Sequence, residues 1–209
     1  MHGRPLLAYS VEQAIASHCF QNVVVSTDSD ELAEIALRFG AQVPFRRPPE
    51  LATDSAPKLP AIQHALQESE RSFGVAFDTV VDLDASAPLR TAGDITGVIE
   101  LLENHDAPNV ITGMPSRRSP YFNLIEQIDG VWQPAKRPPA TVVRRQDAPV
   151  TVDMNASIYA WKASALRLAS RVLVPGTAYF AMPEERSIDI DSEFDWKVVE
   201  FLLACEAKR

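Results

Sequence analysis

Residues 22–40 read NVVVSTDSDELAEIALRFG. The unbroken apolar run at 22–26 predicts a short strand buried on both faces, since a strand with one wet face would alternate. Asp28, with Glu31 three residues on, predicts the cap of the following helix, and Gly40 its stop. A doubly buried strand running straight into a capped helix is half of a βαβ unit. Upstream, PLLAYSVEQAIASH at 5–18 sets Leu6, Val11 and Ile15 at helical spacing, with Pro5 suited to the first turn. Downstream, 41–45 predicts a strand, 61–72 a helix, and DTVVDLDASAPLR at 78–90 a strand and turn. The stretch 91–105 is an amphipathic helix opening at Thr91 or Asp94, and 109–113 is a strand. Asp129-Gly130 marks a hairpin. Strands at 156–161 and 178–182, a helix at 162–170 and a final helix at 192–205 capped by Ser192 complete the pattern.

Alternating strands and helices predict an α/β fold, a mostly parallel sheet covered by helices on both faces. One domain spans 1–209. Within it the 114–150 stretch breaks the rhythm and is expected to project, and its part at 134–150, rich in Pro and Arg without a period, reads as a functional loop or arm.

Composition narrows the function. The 209 residues carry a net charge of −8, with 46% hydrophobic and 23% charged residues. An acidic chain lacks the basic surface that nucleic acid or an anionic membrane requires, so no nucleic-acid partner is expected. No apolar run approaches a membrane span and the opening residues do not form a signal peptide, so no membrane association and a cytoplasmic location are expected. Two cysteines, Cys19 and Cys205, make neither a disulfide framework nor a metal-ligand pair. Eight glycines never cluster, which excludes a Walker loop or a GxGxxG turn within these residues. Neither Ser26 nor Ser86 lies in a GxSxG elbow, and the four scattered histidines form no ligand pair.

Ligands of open α/β sheets bind beyond the carboxyl ends of the strands. Polar residues follow the apolar runs at Ser26-Thr27-Asp28, at 84–90 and at 115–118; Arg144-Arg145 and the segment 187–191 add to them. Asp189 and Asp191 flank Ile190, so period 2 projects both carboxylates from one side of an extended segment. Two readings follow. A divalent cation such as Mg²⁺ beside substrate phosphates would relieve their repulsion. Alternatively Asp191 favours the dipole of the next helix while Asp189 pairs with Arg186. The doublets Arg46-Arg47, Arg117-Arg118, Lys136-Arg137 and Arg144-Arg145 admit a similar choice, between an anionic ligand and a solvated surface.

Taken in order, PLLAYSVEQA, NVVVSTDSDELAEIA, FRRPPELATDSA, LDASAPLR, VVRRQDAP, MNASIYAW and MPEERSIDIDSEFDW resemble the CMP-N-acylneuraminate synthetases and their legionaminate relatives. The match covers essentially the whole chain. It implies a Rossmann-like domain, a homodimer joined through the projecting 114–150 region, and Mg²⁺-dependent transfer. The anomeric hydroxyl of an acidic nine-carbon sugar would attack the α-phosphorus of CTP, giving the CMP-sugar and pyrophosphate. Position by position, Asp189 and Asp191 match catalytic, metal-binding aspartates, and Arg47 matches an arginine of the nucleotide site, where Ser26 is also placed. Asp84, Arg145 and Asn155 match positions near the sugar, Arg145 facing its carboxylate.

Departures accompany the likeness. Asp84 stands where many sialic-acid synthetases have Gln, Lys58 where a small hydroxyl residue is common, and Asp153 where some members carry Arg; with MNASIYAW these lean toward the legionaminate-type branch. The family also opens with a central strand and an Arg/Ser/Lys-rich loop around the CTP triphosphate, whereas MHGRP here leads directly into the helix that follows. The expectation is weak CTP binding and slow turnover by these 209 residues, as a shortened form of an enzyme or as an impaired homologue acting as a binding or regulatory subunit.

Overall fold

The computed structural model describes residues 1–137 and 144–206, apart from the side chains of Arg145 and Glu206. Three helices come first: α1 (Leu6–Ala16), α2 (Asp30–Arg38) and α3 (Lys58–Phe73). They are followed by β1 (Thr79–Leu83), α4 (Ala92–Asn104), β2 (Asn109–Pro115), β3 (Ile125–Ile128) and β4 (Val131–Pro134). The chain closes with β5 (Val152–Lys162), α5 (Ala163–Leu168), β6 (Ala178–Ala181) and α6 (Glu193–Glu206).

The α/β class holds, and the main sheet is mixed, in the order β1-β5-β2-β6. Alternation predicts mostly parallel strands, but β5 runs antiparallel to both β1 and β2, and only β2 and β6 pair in parallel. The reason lies in the excursion after β2. It returns the chain to the same end of the sheet at Val152, paired with Pro115, so no helix carries it across. Gly113 sits at the break in that ladder, and a Cβ there would lie 2.4 Å from the Asp153 carbonyl oxygen.

Both faces of the sheet are covered. On one, Leu59, Ile62 and Leu66 of α3 and Leu166 of α5 pack with Tyr159 and Trp161. On the other, Ile95, Val98 and Leu102 of α4 pack on Val110, Ile158 and Ala160. Burial of such side chains, each worth about 1.5–3 kcal/mol, fixes the strand register.

Local signals are obeyed with small shifts. Thr91 and Asp94 form a full capping box at the start of α4, and Ser192 accepts from the Asp195 amide before α6. The cap of α2 is Ser29, accepting from Leu32 N, one residue past the expected Asp28; the run DSDE offers several oxygens, and Asp30 and Glu31 occupy the first turn. The 22–26 and 41–45 runs form one parallel bridge, Val24 with Gln42, in place of two strands, and 22–26 is half-buried. The β3–β4 hairpin turns at Asp129-Gly130, both at positive φ. Ile125, Val131 and Trp132 on it are more than half exposed.

Candidate functional site

Three pieces of chain meet at one end of the sheet. β1 runs out into the turn Asp84-Ala85-Ser86, the 22–26 segment ends at Ser26-Thr27, and the segment 187–191 lies across the turn, with Ile190 N donating to Ser86 O at 3.0 Å. Ile188 and Ile190 pack inward on the cluster of Met1, Leu89 and Val199. Alternation therefore turns Asp189 and Asp191 to the opposite side, as the period-2 reading expects.

The carboxylates are linked through Ser86. Its amide donates to Asp84 Oδ1 at 3.1 Å, its hydroxyl lies 2.8 Å from the same oxygen, and the hydroxyl also reaches Asp189 Oδ1. One hydroxyl proton serves one acceptor at a time, so Asp84 and Asp189 compete for it. Burial raises the Asp189 pKa above the usual carboxylate range. The charges of Asp84 and Asp191 raise it further, against the Ser86 bond and Lys58.

Lys58 faces this acidic group. Its Nζ lies 2.8 Å from Asp82 Oδ2 and 2.8 Å from Asp84 Oδ2, over the Tyr159 ring at 4.8 Å from the centroid. Burial opposes the ammonium charge, and the two carboxylates more than offset that, lifting its pKa above the ordinary lysine value. For Asp84, burial raises the pKa while Lys58 and the two Ser86 bonds lower it, with a net lowering. Asp84 is thus ionised and Asp189 is the more easily protonated of the pair.

Arg90 props the turn from beneath. The side chain is 2% exposed, and its Nη1 donates to the carbonyls of Asp84 (2.7 Å), Ala87 (3.0 Å) and Ser157 (3.1 Å), while Nη2 meets Ser10 Oγ. Burial pulls its pKa down to about 10, which leaves it charged at neutral pH. Across the cavity mouth Arg47 donates through Nε to Ser26 Oγ at 3.1 Å and through Nη2 to Ser26 O at 2.7 Å. Ser26, Arg47, Lys58, Asp82 and Asp84 all border one cavity of about 560 Å³.

The structure therefore links Asp84 to Asp189 through Ser86, with the charge of Asp191 felt at Asp189, and pairs Ser26 with Arg47; of these, Asp84, Ser26 and Arg47 border the cavity. Asn155 is elsewhere: 6% exposed, it accepts from Thr112 Oγ1 at 2.7 Å and donates to Ser187 Oγ at 3.0 Å. There it ties β5 to the root of the Asp189 segment. The Arg145 side chain lies outside the described residues. Sequence reasoning placed Ser86 and Arg90 in the 84–90 stretch beyond the strand without giving either a role, and missed Asp82. The arginine in the otherwise apolar string APLR was the one available signal for Arg90. Arg186 forks onto Asp94, through Nε at 2.9 Å and Nη2 at 2.8 Å, in contrast to the expected alternative of a pair with Asp189. Among the described residues no three His, Cys, Asp or Glu side chains converge as a ready metal cage, and no helix is long and apolar enough to cross a membrane.

The charged cavity lies at the strand ends of an α/β sheet, where such folds bind their ligands. Over 98% of this chain and 89% of the other, it is similar to CMP:2-keto-3-deoxy-manno-octonic acid synthetase solved with CTP, at a TM-score of 0.67 and 14% identity, a likeness of fold. The chain belongs to the Cytidylyltransferase family, whose profile matches residues 1–197. It is 46% identical over 198 residues to the post-translational flagellin modification protein B of Campylobacter coli, covering 95% of this chain and 83% of that one. It is 45% identical over 199 residues to the CMP-N,N'-diacetyllegionaminic acid synthase of Campylobacter jejuni, covering 95% and 84%.

Proposed function

We propose that this cytidylyltransferase activates a nonulosonic acid, with legionaminic acid the favoured substrate, to its CMP-sugar. The sugar's anomeric oxygen attacks the α-phosphorus of CTP, the bond from that phosphorus to the β-phosphate bridge breaks, and pyrophosphate leaves. The hydroxyl proton passes to solvent or to a carboxylate of the site. The observation that carries this reading is the link from Asp84 through Ser86 to Asp189, beside a cavity that Asp84, Arg47 and Lys58 border.

Mg²⁺ fits the residues present. Asp189 and Asp191 offer hard oxygen donors from one side of a segment, and Asp189 is held unfavourably ionised by like charges, which a cation would relieve. Two carboxylates suffice because Mg²⁺ takes its other ligands from phosphates and water. When bound, the ion neutralises charge on the phosphates of the leaving pyrophosphate. The chain's own residues do the rest. Arg47, held by Ser26, is set to orient nucleotide phosphate or ribose by charge-assisted bonds. Lys58 keeps Asp84 ionised, and Arg90 holds the Asp84–Ser86 turn still, so that the site is preorganised. We further propose that Arg145 receives the sugar carboxylate and that the protein is a homodimer joined through 114–150. The exposed Ile125, Val131 and Trp132 of the β3–β4 hairpin support the latter.

The test is incubation with CTP, Mg²⁺ and, in turn, legionaminic, pseudaminic and N-acetylneuraminic acids. Formation of a CMP-sugar with matching pyrophosphate release, fastest with legionaminic acid, is expected. Transfer from another nucleotide triphosphate in preference to CTP would overturn the reading. CTP binding with negligible turnover on every sugar would favour the impaired homologue acting as a binding or regulatory subunit.

A further inference from the structure

β5 does not run straight past the site. While β2 advances two residues, from Ile111 to Gly113, β5 takes five between their partners Tyr159 and Met154, and the surplus is a bulge around Asn155-Ala156-Ser157. Ala156 holds φ at +50°, a left-handed position that is unfavourable for alanine and persists where the surroundings use it. Asn155 and Ser157, on either side of it, are both buried. Each is tied to a different piece of the candidate site.

Ser157 holds the Asp84 turn. Its carbonyl accepts from Asp84 N at 3.2 Å and from Arg90 Nη1 at 3.1 Å, and the same Nη1 grips the carbonyls of Asp84 and Ala87. Asn155 holds the other piece. Its Nδ2 donates to Ser187 Oγ at 3.0 Å, and Ser187 Oγ donates on to Pro183 O at 2.8 Å, which fixes residue 187 two positions before Asp189. Asn155 Oδ1 accepts from Thr112 Oγ1 at 2.7 Å and from Ser157 N at 3.2 Å, and Nδ2 also lies 3.4 Å from Met182 Sδ. A side-chain amide offers two donor and two acceptor positions. All four are taken here, which leaves none for a ligand. Arg186, one residue before Ser187, is tied separately to Asp94.

We propose that this bulge is a common mount for the two pieces and that Asn155 is a positioning residue. Through Ser187 it sets Asp189, and with it Asp191, against the Asp84–Ser86 turn that Ser157 and Arg90 carry. The inference rests on the proposed reading of Asp189 and Asp191 as Mg²⁺ ligands, and gives Asn155 a part in it without contact to sugar, nucleotide or ion. Donors of a cation must keep their places within about 0.5 Å, and the hydrogen bonds behind them supply that constancy. Anchors two residues apart on one strand do so because neither moves without the other. One bond reports the result directly: Ile190 N donates to Ser86 O at 3.0 Å, closing the segment onto the turn.

The test compares Asn155→Ala and Ser187→Ala with Asn109→Ala in the 209-residue chain. Asn109 is the matched control: it too is buried, donating to Val172 O at 2.9 Å and accepting from Thr177 Oγ1 at 2.8 Å, but at the opposite end of β2. Two quantities are read, amide hydrogen exchange at Ile190 without metal, and Mn²⁺ affinity in the presence of CTP by electron paramagnetic resonance. Asn155→Ala and Ser187→Ala are each expected to speed Ile190 exchange about tenfold and to weaken Mn²⁺ binding about tenfold. Asn109→Ala, whatever it does to the melting temperature, is expected to leave both unchanged. If Asn155→Ala does not fold, Ser187→Ala, which deletes only the hydroxyl that Asn155 holds, decides alone. Unchanged Ile190 exchange would overturn the proposal, as would equal acceleration in Asn109→Ala. Faster exchange with unaltered Mn²⁺ affinity would overturn it as well, since the mount would then serve the fold alone. If the unsubstituted chain with CTP binds no Mn²⁺, the metal reading fails and takes the proposal with it; if it binds Mn²⁺ and the variants bind it equally, the proposal fails and the metal reading stands.

Discussion

Asp94 and Asp189 are both withdrawn from water, and the chain treats them in opposite ways. Asp94 is 4% exposed and fully engaged: Arg186 forks onto it, and its Oδ2 takes the Thr91 amide and hydroxyl, both at 2.8 Å. Burial alone would raise its pKa, but the Arg186 and Thr91 bonds more than offset that and hold it below the usual range. Asp189 accepts from Ser86 while facing Asp84 and Asp191, and burial with like charge holds it above the usual range. The first arrangement stabilises a helix start. The second costs stability in the absence of a cation, and strain of that kind marks sites kept for function.

The contrast can be broken by substitution. Asp189→Ala and, separately, Asp191→Ala are expected to lower CMP-sugar formation by about 100-fold or more, the usual scale for losing a group that neutralises transition-state charge. Pyrophosphate release measures it; near-normal turnover in both variants would return the pair to a purely structural role. Asp94→Ala should instead destabilise the fold by about 3 kcal/mol in urea denaturation, because it strips the cap of α4 and leaves Arg186 without its fork. Arg47→Ala is expected to raise KM for CTP about tenfold with little change in kcat, as loss of a binding contact does.

The smallest effect is the sharpest on sign. Asp189 contributes stability below its unfolded pKa and loses it as pH rises through its raised folded value; Asp94 contributes above its unfolded pKa and loses it as pH falls through its lowered one. In metal-free buffer at pH 7, Asp189→Asn should therefore raise Tm by a few degrees, on the scale of about 1 kcal/mol. That gain should shrink as pH drops through the Asp189 range. A gain independent of pH would mean that the ionised Asp189 is not the source of the cost.

Much of this was legible from residue order. The helices, the Thr91 box and the Asp129-Gly130 hairpin follow from local chemistry. So does the outward turn of Asp189 and Asp191, because Ile188 and Ile190 are the residues that the core takes. What failed to show were pairings across sequence distance. Lys58 and Asp84 read as two unrelated departures from the family resemblance, yet in space they are partners 2.8 Å apart. Arg186 stands three residues from Asp189 and reaches Asp94, 92 positions away. β5 could not be given a direction, because the excursion before it has no period to say on which end of the sheet it returns. Asn155, expected near the sugar, is buried and donates to Ser187 Oγ at 3.0 Å, another pairing that residue order did not show.

The central claim, that Asp189 and Asp191 together hold a divalent ion against nucleotide phosphate, is met most directly by Mn²⁺ electron paramagnetic resonance of the chain with CTP. The account predicts a CTP-dependent bound-Mn²⁺ population that disappears in the Asp189→Ala, Asp191→Ala double variant while the fold, read by circular dichroism, is kept. An equal bound population in the double variant would contradict it.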